Sequence, residues 1–283
     1  MLTVELDRLR LPPGAVVLDL GCGEGRHARA IRLVSGVAVV ALDIKDEEIT
    51  RTAASIAAMD DDGAVYPAVH DAGPWLALRG DSYALPFADE SFDCVIASEI
   101  LEHLHDDDKA LDEIHRVLKR GGEVVVSVPR FGPELLCWAL SREYRDTPGG
   151  HVRIYRRSAL MRKIAAHDFE LYAAHFAHAL HAPYWWLKCA VGLERTGGIV
   201  GAYHRFLVWD MFAKPRALRL LEWLLNPVIG KSEVFYARKP GLIRQLALVP
   251  RRRHVAAPRE QLVAAVCMKS VEDSRSRRSA FER

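Results

Sequence analysis

Glu99, Glu102 and His103 fall within Ser98-Glu99-Ile100-Leu101-Glu102-His103-Leu104. In a helical turn, residues at i, i+3 and i+4 share one face. Two carboxylates and an imidazole on one face suit a hard divalent ion that keeps positions open for a bound oxygen. Such an ion lowers the pKa of a hydroxyl that it binds. The metal-free alternative makes His103 a general base, with Glu99 orienting a ligand and Glu102 capping a helix.

A second group lies upstream. Val16-Val17-Leu18-Asp19-Leu20 is an apolar run of buried-strand type, and Gly21-Cys22-Gly23-Glu24-Gly25 leads directly into a helical pattern through Arg26, His27, Ala28 and Ile31. Glycines after a strand let the backbone turn sharply and approach a ligand closely. A dinucleotide site needs a small residue where Arg26 stands, and Asp19 and Glu24 put carboxylates where two phosphates would lie. S-adenosylmethionine (SAM), which has no phosphate and carries a sulfonium and an ammonium, fits an acidic setting.

Asp19-Leu20-Gly21-Cys22-Gly23-Glu24-Gly25 resembles motif I of the class I SAM-dependent methyltransferases, of the type 11-like kind. Three later stretches match in order and spacing: Val39-Val40-Ala41-Leu42-Asp43, Gly80-Asp81-Ser82-Tyr83 with Ser91-Phe92-Asp93, and Leu118-Lys119-Arg120-Gly121-Gly122-Glu123. Arg120 departs from the family, which usually has proline there. The resemblance implies that Asp19 and the backbone of Gly21, Gly23 and Gly25 meet the methionine part of SAM. Asp43 would take the ribose hydroxyls, Ile44 the adenine face, Asp81 and Ser82 the adenine edge, and Ser98 the methionyl end. The E-x-x-E-H stretch is also similar to that of Mg-dependent small-RNA and ubiquinone-pathway O-methyltransferases. In the RNA enzymes a further histidine completes the site, and His151 is the matching residue. The implied metal set is therefore Glu99, Glu102, His103 and His151, holding Mg; without metal, His103 or His151 is the base.

Strands at 16–20, 37–42, 75–78, 93–97, 123–128, 169–176 and 232–238 alternate at first with helices at 25–33, 46–59 and 106–119, and a later helix covers 157–167. The pattern predicts an α/β, doubly wound, Rossmann-like sheet, seven-stranded as in the family, with its ligand beyond the strands' carboxyl ends. The N-terminal lead is too short for the helical lid that many relatives place over the cofactor. Residues 177–231 form an insert before the last strand, with helical patterns at 202–212 and 215–225 and with Tyr184, Trp185, Trp186, Trp209 and Trp223. It is read as a lid over an acceptor pocket; the alternative is a lipid-facing surface giving peripheral membrane contact. His175, His178 and His181, at steps of three, alternate sides on a strand and scatter around a helix, so no metal cluster is expected of them.

The methyltransferase domain is thus expected over 1–240. Residues 241–283 carry ten Lys or Arg against four Asp or Glu within a chain of formal net charge +2, so the body is mildly acidic and the basic tail reads as disordered. Five cysteines without C-x-x-C spacing suggest neither disulfides nor zinc, and with no signal-peptide pattern the expected compartment is the cytoplasm. Nucleic acid is disfavoured as a partner, because no basic stripe with interleaved aromatics is present. The expected reaction is O-methylation of a small or lipid-linked acceptor such as a glycolipid, polyketide or quinone precursor. N- or C-methylation, an RNA 2′-O acceptor and a non-catalytic SAM-binding subunit stay open.

Overall fold

The computed structural model describes residues 2–213 and 215–241; Met1, Lys214 and 242–283 lie outside the described residues, and the expected basic tail falls almost wholly among them. Seven strands form one sheet: β1 (Val16–Leu20), β2 (Ala38–Asp43), β3 (Trp75–Arg79), β4 (Phe92–Ser98), β5 (Leu118–Pro129), β6 (Glu170–Ala177) and β7 (Ser232–Arg238). Their order is β3-β2-β1-β4-β5-β7-β6. β7 runs antiparallel to both of its neighbours, while the pairs among β1 to β5 are parallel.

β1, β2, β4 and β5 are buried on both faces, as parallel strands under helices must be, while the edge strand β3 is half-buried. Leu18, Leu20, Val40, Leu42 and Val95 share one layer with Leu111 and Ile114 of α3 (Asp107–Val117). Val17, Val39, Ala41 and Ile96 share the other with Ala28 and Ile31 of α1 (Arg26–Ile31) and Ile56 of α2 (Asp46–Asp61). Parity along β1 thus decides which side each of its residues serves.

α4 (Phe131–Leu140) and the short α5 (Arg142–Arg145) follow β5, and α6 (Arg157–Ala166) precedes β6. The insert contributes α7 (His181–Val191), α8 (Gly198–Ala213) and α9 (Arg216–Ile229). No helical pattern is expected at α4 or α7. Both are apolar or aromatic around most of their circumference, so they show little of the stripe that marks a surface helix. At Arg120 the strand simply continues: Gly121 takes φ 76°, its N–H donates to the Lys239 carbonyl, and Arg120 pairs with Glu90 at 3.1 Å. No described helix is long and apolar enough to cross a membrane.

Candidate active site

Where the strand order reverses, between β1 and β4, a crevice of about 490 Å3 opens beyond the strand ends. Gly21 and Gly23 form one wall, Asp43 and Ile44 the next, and Asp81 and Ser82 a third. Gly23 has φ 51° and nothing within 4 Å of where a Cβ would stand. A ligand can therefore approach its Cα closely. Asp43 Oδ2 accepts from Gly23 N–H and Oδ1 from Lys45 N–H, both at 3.0 Å, so the carboxylate is held rigid at the rim. Ile44 is 57% exposed there, an apolar side chain with nothing of its own to cover. Asp81 Oδ1 accepts from Tyr83 N–H at 2.9 Å. The crevice also takes Glu48, whose buried Oε2 has no hydrogen-bond partner. In the sequence Glu48 looks like any other acid in a helix's first turn.

Three residues expected to touch the ligand do not line the crevice. Asp19 shares its parity with Val17 and points into the helix layer: it is 1% exposed, and its Oδ2 accepts from Ala28 N–H at 2.9 Å. Burial pushes its carboxyl up to about 7 and pulls nearby His27 down to about 3. Asp19 therefore positions α1 and the glycine turn. Gly25, with φ 73°, heads α1 where a Cβ would stand 2.6 Å from Thr52 Oγ1, so its role is packing. Ser98 Oγ lies 2.8 Å from Ser127 Oγ, which donates to Glu99 Oε1 at 3.1 Å. It orients Glu99 from behind.

Beyond the Glu99 side of the crevice sits a second set of groups. Glu99 has φ 56°, and Leu101–His103 make a single 3-10 turn, so the helical face expected of Glu99, Glu102 and His103 does not form. Instead one ligand atom each from Glu102, His103 and His151 come within 4.8 Å of one another, and Glu99 is not among them. His103 Nδ1 lies 3.0 and 3.1 Å from the carbonyl oxygens of Gly149 and Gly150. Carbonyls only accept, so Nδ1 carries the proton and Nε2 keeps its lone pair. Burial, reinforced by His151, holds the His103 pKa below its ordinary value. His151 Nδ1 lies 2.6 Å from Glu134 Oε1, a carboxylate on α4 that sequence reading missed along with its helix. The same reasoning leaves His151 with a free Nε2. Glu102 is 1% exposed, neither of its oxygens has a partner, and burial followed by the nearby Glu99 raises its carboxyl well above the usual range. A buried carboxyl facing two imidazole nitrogens, one backed by a second carboxylate, is a donor set for a cation. With one carboxylate rather than two, and two imidazoles, it suits Mn2+ or Zn2+ better than the expected Mg2+.

Two methyltransferase-domain family models match this chain, over residues 18–126 and 77–188. The chain carries a class I SAM-dependent methyltransferase domain. An O-methyltransferase of Pyrenophora dematioidea is 31% identical over 44% of this chain and 44% of its own length. A sterol 24-C-methyltransferase of Yarrowia lipolytica is 32% identical over 51% of this chain and 33% of its own. The chain thus matches less than half the length of these curated relatives. Among solved structures, a Bacillus halodurans protein described as a methyltransferase aligns with TM-score 0.55 at 21% identity, covering 83% of this chain and 96% of that one. The [4+2]-cyclase SpnF aligns with TM-score 0.52 at 19% identity, covering 83% and 78%. The structural likeness shows the fold alone, and a cyclase on it warns against reading chemistry from fold.

Beside the crevice at Gly23 and Asp43 the methyltransferase domain has another cavity, of about 340 Å3, and Glu99 lines both. Thr3, Arg26, His178, His181, Trp185 and Lys231 face it. Trp186 Nε1 ties the insert to the body by donating to the Pro133 carbonyl at 3.1 Å, while Tyr203 Oη, donating to the Leu180 carbonyl, and Ala179 N–H, donating to Asn226 Oδ1, each at 3.0 Å, hold its own parts together. The scattering expected of the three histidines holds for His175, which lies against Tyr236 at 5.6 Å. It fails for the other two. His178, at φ 65°, turns the chain out of β6, and His181 opens α7, which brings their rings to 5.5 Å.

Proposed function

We propose that this methyltransferase transfers the SAM methyl group to a hydroxyl oxygen of a small or lipid-linked acceptor, and that a divalent cation assists. The observation that carries the reading is Glu102: a buried carboxyl with two unpartnered oxygens beside His103 and His151, next to the crevice. Glu102, His103 and His151 would hold the ion, which when bound supplies the positive charge that acidifies a hydroxyl. Glu134 fixes the tautomer of His151, and the Gly149 and Gly150 carbonyls fix that of His103. The residues' remaining work is positional. The crevice would hold SAM, the neighbouring cavity the acceptor, and Glu99 stands where the two adjoin.

The apolar part of the acceptor is inferred from the insert. Trp209, Phe212, Trp223 and Leu224 are 53–83% exposed, and Arg216 and Arg219 are close in sequence. Such a surface suits contact with a membrane or with a lipid-linked substrate. C-methylation of an isoprenoid is the second reading, favoured by the sterol methyltransferase relative.

The test is calorimetric titration of the EDTA-stripped protein with S-adenosylhomocysteine (SAH), then with Mn2+ and Mg2+, in wild type and Glu102→Gln, followed by a screen of hydroxylated lipids. The reading expects SAH binding and a metal response lost in the variant. SAH binding without that loss would sink cation assistance. Turnover on an isoprenoid olefin but on no hydroxyl would shift the assignment to carbon.

A further inference from the structure

α9 carries an acid in the middle of its inward face, where Glu222 stands at helical spacing with the half-buried Leu218, Leu225 and Ile229. Its buried residue is Glu222, 7% exposed, while Leu220, Trp223, Leu224 and Val228 are 55–69% exposed. A surface helix normally turns its apolar stripe inward. Leu218, Leu225 and Ile229 account for the docking of the helix but not for an acid among them, because burying a carboxyl is costly.

The surroundings of Glu222 supply the reason. Its Oε1 has no hydrogen-bond partner, and neither does buried Nδ1 of His181. His178, 9% exposed, completes the group: one ligand atom each from His178, His181 and Glu222 lie within 4.8 Å of one another. Thr3 Oγ1, 3.1 Å from His178 Nε2, steadies that ring. The three residues come from three places in the chain: the turn after β6, the first residue of α7 and the middle of α9.

We propose that His178, His181 and Glu222 form a binding site for one divalent transition ion, which fastens α9 to the turn after β6 beside the second cavity. The donor set selects the class of ion. Mg2+ and Ca2+ depend on several oxygen ligands. The group itself contains one carboxylate, and Arg26 and Lys231 face the neighbouring cavity. Two imidazoles and a carboxylate suit Zn2+ or Co2+, and three protein ligands leave a coordination position for water or a ligand atom from the cavity. This site is separate from the group at Glu102, and neither assignment depends on the other.

The experiment uses the full chain, stripped of metal. Bound Zn2+ is counted by equilibrium dialysis, and the melting temperature is recorded with and without Zn2+, in wild type, Glu222→Gln, His181→Asn and Glu102→Gln. SAH binding reports that each variant is folded. The expected result is one equivalent of Zn2+ that survives Glu102→Gln but is lost, or weakened by ~100-fold, in Glu222→Gln and in His181→Asn. The rise in melting temperature should follow that equivalent, and Mg2+ should not produce it. Should Glu222→Gln fail to bind SAH, His181→Asn decides. Wild-type stoichiometry and thermal response in SAH-competent His181→Asn would overturn the site, and so would a wild type whose only Zn2+ disappears in Glu102→Gln.

Discussion

Asp19→Asn tests which way the acid of motif I faces. The Asp19 carboxyl is pushed by burial up to about 7, against 3.8 for an ordinary aspartate. Between those values the folded chain holds a proton that the unfolded chain has released. Stability from this group is therefore greatest at low pH, falls by about 1.4 kcal/mol per pH unit as the pH rises, and levels off above about 7. From about pH 5 to about pH 8 the loss is about 2.5 kcal/mol. Asparagine does not titrate, and its amide oxygen still accepts from Ala28 N–H, so the variant lacks this slope. Urea unfolding of both proteins, without cofactor, gives the stability difference at each pH, and groups common to both cancel. Asp19→Asn should gain on wild type by about 2.5 kcal/mol across that range. A flat difference would show that Asp19 ionises normally, and a falling one that its carboxylate is paired with a cation. Either result would refute the reasoning that burial holds a proton on Asp19 in the folded chain, the second pointing to its neighbour His27 as the cation.

Asp43→Ala removes the carboxylate that faces the crevice and braces Gly23 and Lys45, so SAH affinity by calorimetry should fall ~100-fold, the equivalent of about 3 kcal/mol. Gly25→Ala forces an L side chain to φ 73° with its Cβ against Thr52, and should cost about 2 kcal/mol or more in denaturant unfolding. Gly23→Ala meets no protein atom and should cost about 1 kcal/mol while weakening SAH binding more than stability. Replacing Trp223 and Leu224 together by serine removes two exposed apolar side chains, so co-sedimentation with anionic lipid vesicles should drop while SAH binding is unchanged.

The sheet was legible because its signals are local. Apolar runs broken by glycine and acid fix β1, β2 and β4, and six of the seven strands lie within a residue or two of the expected span, while β5 begins at Leu118, five residues before the expected start and inside the expected helix. Gly23, Asp43, Ile44 and Asp81 come together around one crevice because strand ends determine their place. Asp19 was misplaced although the information was present: parity with Val17 sets it in the helix layer, while the motif alone suggests the ligand. Glu99 was misplaced for a different reason, since the left-handed φ at that residue leaves no mark in its side-chain type. Glu134 and Glu222 could not have been found by spacing, because each reaches its histidine partners from a distant helix.

The exposed apolar side chains of α8 and α9 and the buried acid of α9 are two sides of one arrangement. A helix that buried its leucines and tryptophan against the sheet would dock by hydrophobic burial and would not easily leave. This helix turns Leu220, Leu221, Trp223 and Leu224 outward, keeps Leu218, Leu225 and Ile229 half-buried, and has polar ties to the body and within the insert: Arg130 donates to the Asn226 and Pro227 carbonyls, Asn226 Oδ1 accepts from Ala179 N–H, and Glu222 faces two histidines. Polar ties of this kind are individually worth about 1 kcal/mol and exchange readily with water. On the proposed reading, a cover held in this way would open at modest cost and present its tryptophans to a lipid-linked acceptor, while Glu99 keeps the acceptor cavity in register with the cofactor crevice. Substituting Asn226→Ala should then loosen the insert, seen as faster amide exchange over 179–191 and 216–229, without speeding exchange in β1 or β4. Unchanged exchange in the insert would mean that apolar packing, after all, is what holds it.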